Sequence, residues 1–329
     1  MTVFPSFEQI VPRVEAQMKE AQALRATHKK KMLRNALIII AMWIGLLVCL
    51  LANLPGGLVG LLFVVVLIVS CVLIGLSLGG IRNFHHTYKV NVINATLQQL
   101  FRMIEPPEDE EDYRYRVRYR PNKYIHNNQM RKSKLLSSFN RSSGEDYTSG
   151  QIGLTTFEFS EVHLKHEEEY RDKNGRKKTR VKTVFSGVAF IADFHKDFVG
   201  QTYLIRKKWL NQRKWSLQFS GAHAIELEDM AFNKMFETMT TDDIEARYIL
   251  SSNLMQRIME YAERAHGPVQ ISFVDSKMYI LTETNKDLFE GRFWRSNDRE
   301  ALRIIYEEFM TYFNIVEAFT LNRRIWSKR

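Results

Sequence analysis

Three polar side chains alternate along one stretch of the chain, in a pattern that acid–base or metal chemistry can use. Asp193, His195 and Asp197 are each two residues apart, so on an extended strand they share one face. Carboxylates beside an imidazole can hold a divalent metal or exchange protons. The competing interpretation is structural, because Phe190 and Phe194 would fill the opposite face and leave the polar residues in solvent. We favour the structural interpretation and keep the three residues as metal or catalytic candidates.

Motifs of known enzyme classes are missing from the sequence. The chain contains no Walker loop and no GxGxxG or HExxH pattern, and its GxSxG pattern, Gly75–Gly79, lies within an apolar run and not at a strand-to-helix turn. His163 and His166 are three residues apart on a predicted strand, so they point to opposite faces and cannot share a metal. Two acidic groups, Glu226–Asp229 and Asp242–Glu245, lack EF-hand spacing, and carboxylates are ordinary at helix starts. The sequence predicts no cofactor and favours a protein that is not an enzyme, without excluding one.

An alternating run of tyrosine and arginine, Tyr113 to Arg120, is the strongest pattern in the sequence. On a strand it would place the tyrosines on one face and the arginines on the other. The arginines of this face are Arg114, Arg116, Arg118 and Arg120. Arginine beside exposed tyrosine can bind nucleic acid, and arginine near a bilayer can pair with lipid phosphates. A third interpretation buries the tyrosines and pairs the arginines with the acidic run Glu108–Asp112.

If the arginine face binds a ligand, we favour anionic lipid headgroups over nucleic acid. The C-terminal tail is also basic and aromatic, and we expect it to share this contact. Its contributing residues are Arg323, Arg324 and Trp326. Tryptophan set among cations is typical of a segment that rests at a membrane interface.

A long apolar stretch precedes these residues. From Asn35 to Ile81 the chain has no charged residue, and Leu54-Pro55-Gly56-Gly57 interrupts the stretch near its middle. A helix needs about 20 apolar residues to cross a hydrocarbon core about 30 Å thick. We therefore predict a transmembrane hairpin of two helices, at residues 35–53 and 58–81. A secretory signal peptide is excluded, because no cleavage site ends a short apolar run.

Basic residues flank the apolar stretch on both sides. Lys29–Lys31 and Arg34 precede it, Arg82 and Lys89 follow it, and the turn carries no charge. Lys and Arg beside a membrane helix are retained on the cytoplasmic side. The sequence therefore predicts a multi-pass protein of the inner (plasma) membrane with both termini in the cytoplasm.

Small residues recur at four-residue spacing in both predicted spans. They are Ala41, Gly45 and Cys49 in the first span, and Cys71, Gly75 and Gly79 in the second. Such stripes let helices approach closely. Counted from the turn the two stripes overlap only partly, so the second is left in part for another subunit and predicts a homo-oligomer. Lipid-facing glycines without a packing role are the alternative.

Composition sets two further limits. Both cysteines, Cys49 and Cys71, lie in the apolar stretch, which excludes cysteine-based zinc sites and thiol catalysis in the soluble part. The net charge of +10 favours anionic partners, lipid or nucleic acid, without choosing between them.

Amphipathic helices are predicted on both sides of the hairpin. Apolar residues recur every three or four positions from Phe7 to Leu24 and from Phe84 to Ile104, and the two stripes packed together would form a stalk. The predicted segments are a cytoplasmic amphipathic helix at 1–34, the hairpin at 35–82, the stalk helix at 83–105, a cytoplasmic α+β domain at 106–285, and a C-terminal helix with a basic tail at 286–329.

Strand patterns dominate the chain after Pro106-Pro107. Residues 152–165 and 179–193 predict a hairpin around Lys173-Asn174-Gly175, and residues 135–150, rich in Ser, Asn and Gly, predict a loop. Further strands are predicted at 202–205, 215–219, 269–274 and 277–281, and helices at 251–265 and 298–322. Strands outweigh helices without regular alternation, so the predicted fold is a membrane-anchored α+β protein with an antiparallel sheet.

Several short segments resemble one known family. They are Glu145-Asp146-Tyr147 with Ser149-Gly150, residues 157–163 (FEFSEVH), Phe185-Ser186-Gly187, Phe198-Val199-Gly200-Gln201-Thr202 and residues 245–250 (EARYIL). Over residues 80–285 the chain is similar to bacterial membrane proteins of domain-of-unknown-function family 3137. The resemblance implies a paired-span membrane anchor and a cytoplasmic domain, and it implies no activity, cofactor or site residue.

These patterns together predict an integral membrane protein with a cytoplasmic binding or scaffolding domain. One alternative is a membrane-bound enzyme or metal-binding protein that uses Asp193, His195 and Asp197. The other is a pore or transporter subunit, which is disfavoured because the spans carry no charged side chain for an ion path.

Overall fold

Two compact units make up the chain in the computed structural model. It describes residues 4–52, 54–105, 114–193, 198–207, 219, 221–265, 267–285, 287–295 and 297–326, with residues 318–326 by backbone only. The sheet unit comprises Met1–Ser6, Leu97–Leu288 and Ile305–Arg329, and the hairpin unit comprises Phe7–Thr96 and Phe289–Ile304. Long helices dominate the hairpin unit and an antiparallel sheet dominates the sheet unit, so the predicted α+β class is confirmed.

Two long helices form the hairpin unit. Helix α1, Phe7–Leu51, runs without a break from the amphipathic segment into the apolar one. Helix α2, Gly56–Thr87, begins directly after Pro55, so the interruption between the helices lies two residues earlier than predicted and both turn glycines are helical. A π-helical turn, Tyr88–Ile93, follows α2 and leads into α3, Asn94–Arg102. Both α1 and the segment Gly56–Arg102 are long and apolar enough to cross a membrane.

Polar side chains join α1 to α2 within the apolar stretch. The Asn35 amide donates to the Ser77 hydroxyl at 3.2 Å, and the Trp43 indole N–H donates to the Ser70 hydroxyl at 3.3 Å. Asn35 and Ser70 are both buried. Because an unpaired polar group is costly in apolar surroundings, these bonds favour one register of the two helices.

The small-residue stripes lie away from the contact between α1 and α2. Among the described residues, a Cβ built on Gly45, Gly75 or Gly79 meets no atom within 4 Å, and Ala41 is exposed. Each helix therefore presents its stripe outward in the single chain. Self-association through these stripes stays a prediction.

Nine antiparallel strands form one sheet in the described part of the chain. They are β1 Arg114–Arg120, β2 Arg141–Gly153, β3 Thr155–Arg171, β4 Lys177–Asp193, β5 Thr202–Arg206, β6 His223–Ile225, β7 Phe236–Thr240, β8 Val269–Val274 and β9 Lys277–Glu283. Their order across the sheet is β1-β2-β3-β4-β9-β8-β5-β7-β6. The predicted hairpins β3–β4 and β8–β9 are confirmed. The second turns at Asp275 and Ser276, which both have the positive φ of a two-residue hairpin loop.

The prediction of a loop at residues 135–150 is wrong for its second half, where β2 begins at Arg141. This strand pairs with β1 on one side and with β3 on the other, with a bulge between Glu145 and Thr148. Glycine is required at two positions of this strand for steric reasons, because a Cβ on Gly144 or Gly150 would overlap a backbone carbonyl of the neighbouring strand. Small residues here reflect close strand packing and not a loop.

Both faces of the sheet are packed in part by other elements. On one face, Phe159 and Phe190 stack on Tyr312 of α8, Asp298–Trp326, at 5.2 and 5.3 Å between ring centroids. On the other face, Ile191 belongs to a buried cluster that includes Met130 of helix α4, Asn127–Lys132. The shorter helices are α4 Asn127–Lys132, α5 Met230–Met235, α6 Asp243–Ile249 and α7 Ser252–Arg264. This cluster leaves the part of the same sheet face near β1 uncovered.

Candidate functional site

A concave groove of about 440 Å³ lies on one face of the sheet, across β1, β2, β3, β4 and β9. Its charged lining residues are Arg116, Arg118, Glu158, Asp193 and Lys277. Hydroxyl groups are contributed by Tyr147, Ser149 and Thr156. The volume falls in the range of small-molecule sites, about 300–1,000 Å³. All lining residues belong to the sheet unit, so the groove is complete within one compact unit.

Strand register arranges the groove side chains in rows across the sheet. One row runs from Arg118 through Ser149 and Glu158 to Ile191. A second consists of Arg116, Gln151 and Thr156, and Asp193 faces Lys277 beside it. Cross-strand partners share a face because side chains alternate along each strand. The cations therefore lie on β1 and β9, the two strands that border the groove, and the carboxylates lie on β3 and β4 between them.

The carboxylates of the groove have cationic or hydroxyl neighbours. The Tyr147 hydroxyl donates to the Glu158 carboxylate at 2.8 Å. Burial, and then the charge of Glu158, raises the pKa of Tyr147 to about 12, so this hydroxyl remains a donor at neutral pH. Asp193 lies directly opposite Lys277 in the ladder. Each carboxylate of the groove thus has a hydroxyl donor or a cationic residue beside it.

Two arginines form the outer wall of the groove on β1, which is an edge strand. Arg116 and Arg118 are exposed, and within the described residues neither guanidinium takes part in an ion pair or a hydrogen bond. The acidic run 108–112, one predicted partner, lies outside the described residues. A guanidinium group matches phosphate and carboxylate in bidentate geometry. The wall therefore offers two cationic groups to an anionic ligand.

The tyrosines of β1 lie on the face opposite to the groove. Tyr119 is buried there, and its hydroxyl donates to the buried carboxylate of Asp146. Burial and that carboxylate raise the pKa of Tyr119 far above its usual value. Tyr115 is half-buried. This strand thus gives the arginines no exposed aromatic platform of the kind that stacking on nucleic-acid bases uses.

The predicted site residues are brought together only in part. Arg116 and Arg118 share the groove with Asp193, which the sequence had assigned to a different site. Arg114 and Arg120 lie on the same strand outside the lining. Predicted residues whose side chains are not described are His195, Asp197, Arg323, Arg324 and Trp326.

Sequence reasoning missed Thr156, Glu158 and Lys277 as groove residues. Their strands were predicted, but the pairing of β4 with β9, distant in the chain, was not. A local signal existed, since Thr156 and Glu158 alternate with the buried Phe157 and Phe159. That alternation marks a polar face, and only the strand order shows what lies beside it.

Three other carboxylates of the sheet unit lie close together. Glu145, Glu161 and Asp287 each bring one oxygen within 4.8 Å of the others. Glu161 is buried and accepts a backbone N–H at 2.8 Å, which is a structural role. Asp229 and Asp242 accept backbone N–H groups at the starts of α5 and α6. Acidic groups often cluster in this way without an ion, so we assign no metal to them.

Comparisons with known proteins point to one family. Residues 183–321 match the family described as a protein of unknown function, DUF3137, which confirms the resemblance seen in the sequence. No curated protein matches the chain in sequence. A similar solved structure is the crystal structure of the mycobacterial trehalose monomycolate transport factor A, TtfA, with 9% identity and a TM-score of 0.34, covering 61% of this chain and 86% of that chain. A likeness at this level carries no argument about function.

Proposed function

Because residues 183–321 match the DUF3137 family, whose function is unknown, we propose a function from the chain's own structure. The protein is a membrane-anchored binding module. Its hairpin unit is inserted in the inner membrane, and its sheet unit binds an anionic ligand in the groove. The observation that carries the binding function is the pair of exposed arginines on one wall of the groove, Arg116 and Arg118, which have no ion-pair partner among the described residues.

Exposure of the apolar helices supports the anchor. In α1 and in Gly56–Arg102, only 11% of the most apolar 18-residue segment is buried within the chain. The core helix of a soluble protein would bury most of such a segment. Leu47, Leu61 and Leu76 are 55%, 64% and 64% exposed, and side chains of this kind continue along both helices. Insertion in a bilayer removes this surface from water, which is the favourable direction for apolar area.

The basic residues that flank the hairpin predict its topology. Alkaline phosphatase fused after Arg329 should be inactive, and a fluorescent protein fused there should be fluorescent, because Lys29–Lys31 and Arg82 are retained in the cytoplasm. The control is phosphatase fused after Pro55 in the turn, which should be active. Active phosphatase at the C-terminus would contradict the proposed topology.

The chemistry of the groove supports a ligand that bears a phosphate group. Arginine forms charge-assisted, bidentate hydrogen bonds with phosphate, and Ser149 and Thr156 add neutral donors on the next two strands. Anionic lipid headgroups are concentrated at the cytoplasmic face of the membrane, which makes them the nearest source of such a group. Calorimetric titration of the full chain in nanodiscs with glycerol 3-phosphate tests this assignment.

Self-association of the anchor is a further part of the proposal. The stripe on α2 can contact a second copy of the chain, since a Cβ at Gly75 or Gly79 meets no atom of its own chain in the described residues. Replacing both glycines by Leu should shift an oligomer towards the monomer, as measured by light scattering in mild detergent. A matched control is Val64→Leu with Ile68→Leu, two exposed positions of the same helix. An unchanged distribution after Gly75→Leu with Gly79→Leu would exclude this interface.

A membrane-bound enzyme or metal-binding protein is the second candidate function, and one observation favours it. Asp193, a predicted metal or catalytic residue, lines the groove on the strand next to that of Glu158. Two carboxylates on adjacent strands can serve acid–base chemistry. The imidazole of the predicted site, His195, lies outside the described residues, so we retain the binding module as the leading proposal.

A further inference from the structure

Strands β3 and β4 continue past the rest of the sheet as a two-stranded ribbon. Their pairing extends to Arg171 opposite Lys177. By contrast, β2 last pairs with β3 at Lys165, and β9 last pairs with β4 at Gly187. At about 3.3 Å per residue, the ribbon therefore extends roughly 20 Å beyond its neighbours.

A hydrogen-bonded turn closes the ribbon. The Asp172 carboxylate accepts the backbone N–H groups of Asn174 and Arg176 at 2.9 and 3.0 Å, and it pairs with Lys178 at 3.1 Å. The hydrogen bond from Lys178 has the largest effect in lowering the pKa of Asp172, and the two backbone bonds lower it further. Gly175 supplies the positive φ of 75° that the turn requires. The ribbon is thus an ordered hairpin up to its tip.

The distal part of the ribbon, Tyr170–Lys182, carries a high density of positive charge, and we call it the basic arm. Its only acid is Asp172. Its seven cations are Arg171, Lys173, Arg176, Lys177, Lys178, Arg180 and Lys182. Every residue from Lys173 to Lys182 is exposed. The arm therefore has a net charge of +6, compared with +10 for the whole chain.

Several cations of the arm have no partner in the part of the chain that the structure describes. Among the described residues, Lys177, Arg180 and Lys182 take part in no ion pair or side-chain hydrogen bond. Tyr170 and Val181 stand among them with 46% and 53% exposure. Like charges held together repel one another and add nothing to the stability of the ribbon. Cations mixed with an exposed tyrosine and an apolar side chain are typical of segments that rest at a membrane interface.

We infer that the basic arm docks on an anionic bilayer surface. This inference rests on the proposed membrane anchor, which supplies the bilayer. Basic residues near an anionic leaflet add their attractions, and several together give measurable attachment. Charges further than about 8 Å from the headgroups are screened at physiological salt. A projection of roughly 20 Å can bring its charges within that distance of the headgroups.

The test places a fluorophore on the arm of the full chain in proteoliposomes. The labelled protein carries Asn174→Cys, with Cys49→Ala and Cys71→Ala to remove the natural thiols. A nitroxide on the lipid headgroup quenches a fluorophore that touches the surface. Quenching should be strong in phosphatidylglycerol-containing vesicles, several-fold weaker in pure phosphatidylcholine, and weakened by salt. Equal quenching in neutral and anionic vesicles would overturn the inference.

A charge variant tests whether the arm itself makes the contact. Replacing its unpaired cations by glutamine should reduce quenching several-fold while the circular dichroism spectrum stays unchanged, because these side chains are exposed. The replaced residues are Lys177, Arg180 and Lys182. The matched control removes the same charge elsewhere in the sheet unit, at Lys207, Lys234 and Arg264, which are exposed and have no ion pair among the described residues. An equal loss in the control would show that net charge, and not the arm, governs the contact, and would overturn the inference.

Two further readouts separate the alternatives. If added RNA shields the fluorophore while anionic lipid does not quench it, the arm is a nucleic-acid surface and the inference is wrong. Resistance of the same proteoliposomes to alkaline carbonate reports the anchor independently. A chain that carbonate extracts refutes the proposed anchor, whereas a chain that stays inserted with an unquenched arm refutes the docking of the arm alone.

Discussion

Replacing Arg25 by methionine should lower the stability of the hairpin unit by about 3–5 kcal/mol, the usual cost of breaking a buried ion pair. The two terminal nitrogens of Arg25 donate to the two carboxylate oxygens of Asp298, the Nη2 bond at 2.8 Å. Nη1 also donates to the carbonyl of Arg295 at 2.8 Å. The side chains of Arg25 and Asp298 are only 9% and 4% exposed. The substitution would leave a buried carboxylate without its counter-charge.

Thermal unfolding of the full chain in detergent measures this effect. The midpoint should fall by roughly 10 °C for Arg25→Met, whereas Arg25→Met with Asp298→Leu should regain most of the loss, because no unpaired charge remains. Lys19→Met is the matched control on the same helix. Lys19 pairs with Glu15 at 2.8 Å on the exposed side of the helix, where solvent screens the pair, so its loss should leave the midpoint nearly unchanged. An unchanged midpoint for Arg25→Met would contradict the assigned role.

Elements with local signals were predicted well from the sequence. The charge-free stretch from Asn35 to Ile81 marks the apolar parts of α1 and α2, and the turn at Asp275-Ser276 marks the β8–β9 hairpin. Strand β2 was missed because its glycines are explained only by the neighbouring backbones that approach them. A pairing between distant segments leaves no mark in local composition.

The π-helical turn after α2 shows the same limit within the hairpin unit. The spacing of apolar residues from Phe84 to Ile104 predicted one continuous stalk helix. Tyr88 is fully buried at the start of this turn, and a Cβ on Gly291 would lie 2.5 Å from its ring. Burial, followed by the charge of Asp298, raises the pKa of Tyr88 well above its usual value. The segment that covers Tyr88 is some two hundred residues away in the chain, so helical periodicity alone could not indicate the change of pitch.

The sequence predicted only one wall of the groove, the arginines of β1. Alternation correctly predicted that Arg116 and Arg118 would share a face and that tyrosines would take the other. Alternation left open whether the tyrosine and arginine run binds nucleic acid, binds lipid or buries its tyrosines. The hydrogen bond from the buried Tyr119 to Asp146 agrees with the interpretation that buries the tyrosines. The far wall needed the pairing of β4 with β9, which brings Lys277 next to Asp193. A site that crosses five strands depends on strand order, and strand order is a property of the whole fold.

Removing both guanidinium groups of the groove should weaken the binding of glycerol 3-phosphate by roughly 100-fold. A hydrogen bond to a charged group contributes about 1.5–3 kcal/mol, and we take the lower figure for each arginine because both are exposed to solvent. At 1.4 kcal/mol per factor of ten, Arg116→Gln with Arg118→Gln gives this loss. Arg114→Gln is the matched control, since Arg114 is exposed on the same face of the same strand and lies outside the lining. It should change the Kd by less than about threefold.

The acidic residues of the groove sharpen this prediction. Glu158 lies in the same row as Arg118 and repels an anion bound there, so Glu158→Gln should tighten binding a few-fold. Titration calorimetry on the full chain in phosphatidylcholine nanodiscs measures each Kd, with glycerol as the ligand that lacks phosphate. Nanodiscs that contain phosphatidylglycerol should raise the apparent Kd if the lipid headgroup occupies the groove, and should leave it unchanged if the ligand is a soluble phosphate ester. Binding that survives the double arginine substitution, or that Arg114→Gln weakens equally, would remove the groove from the proposed function.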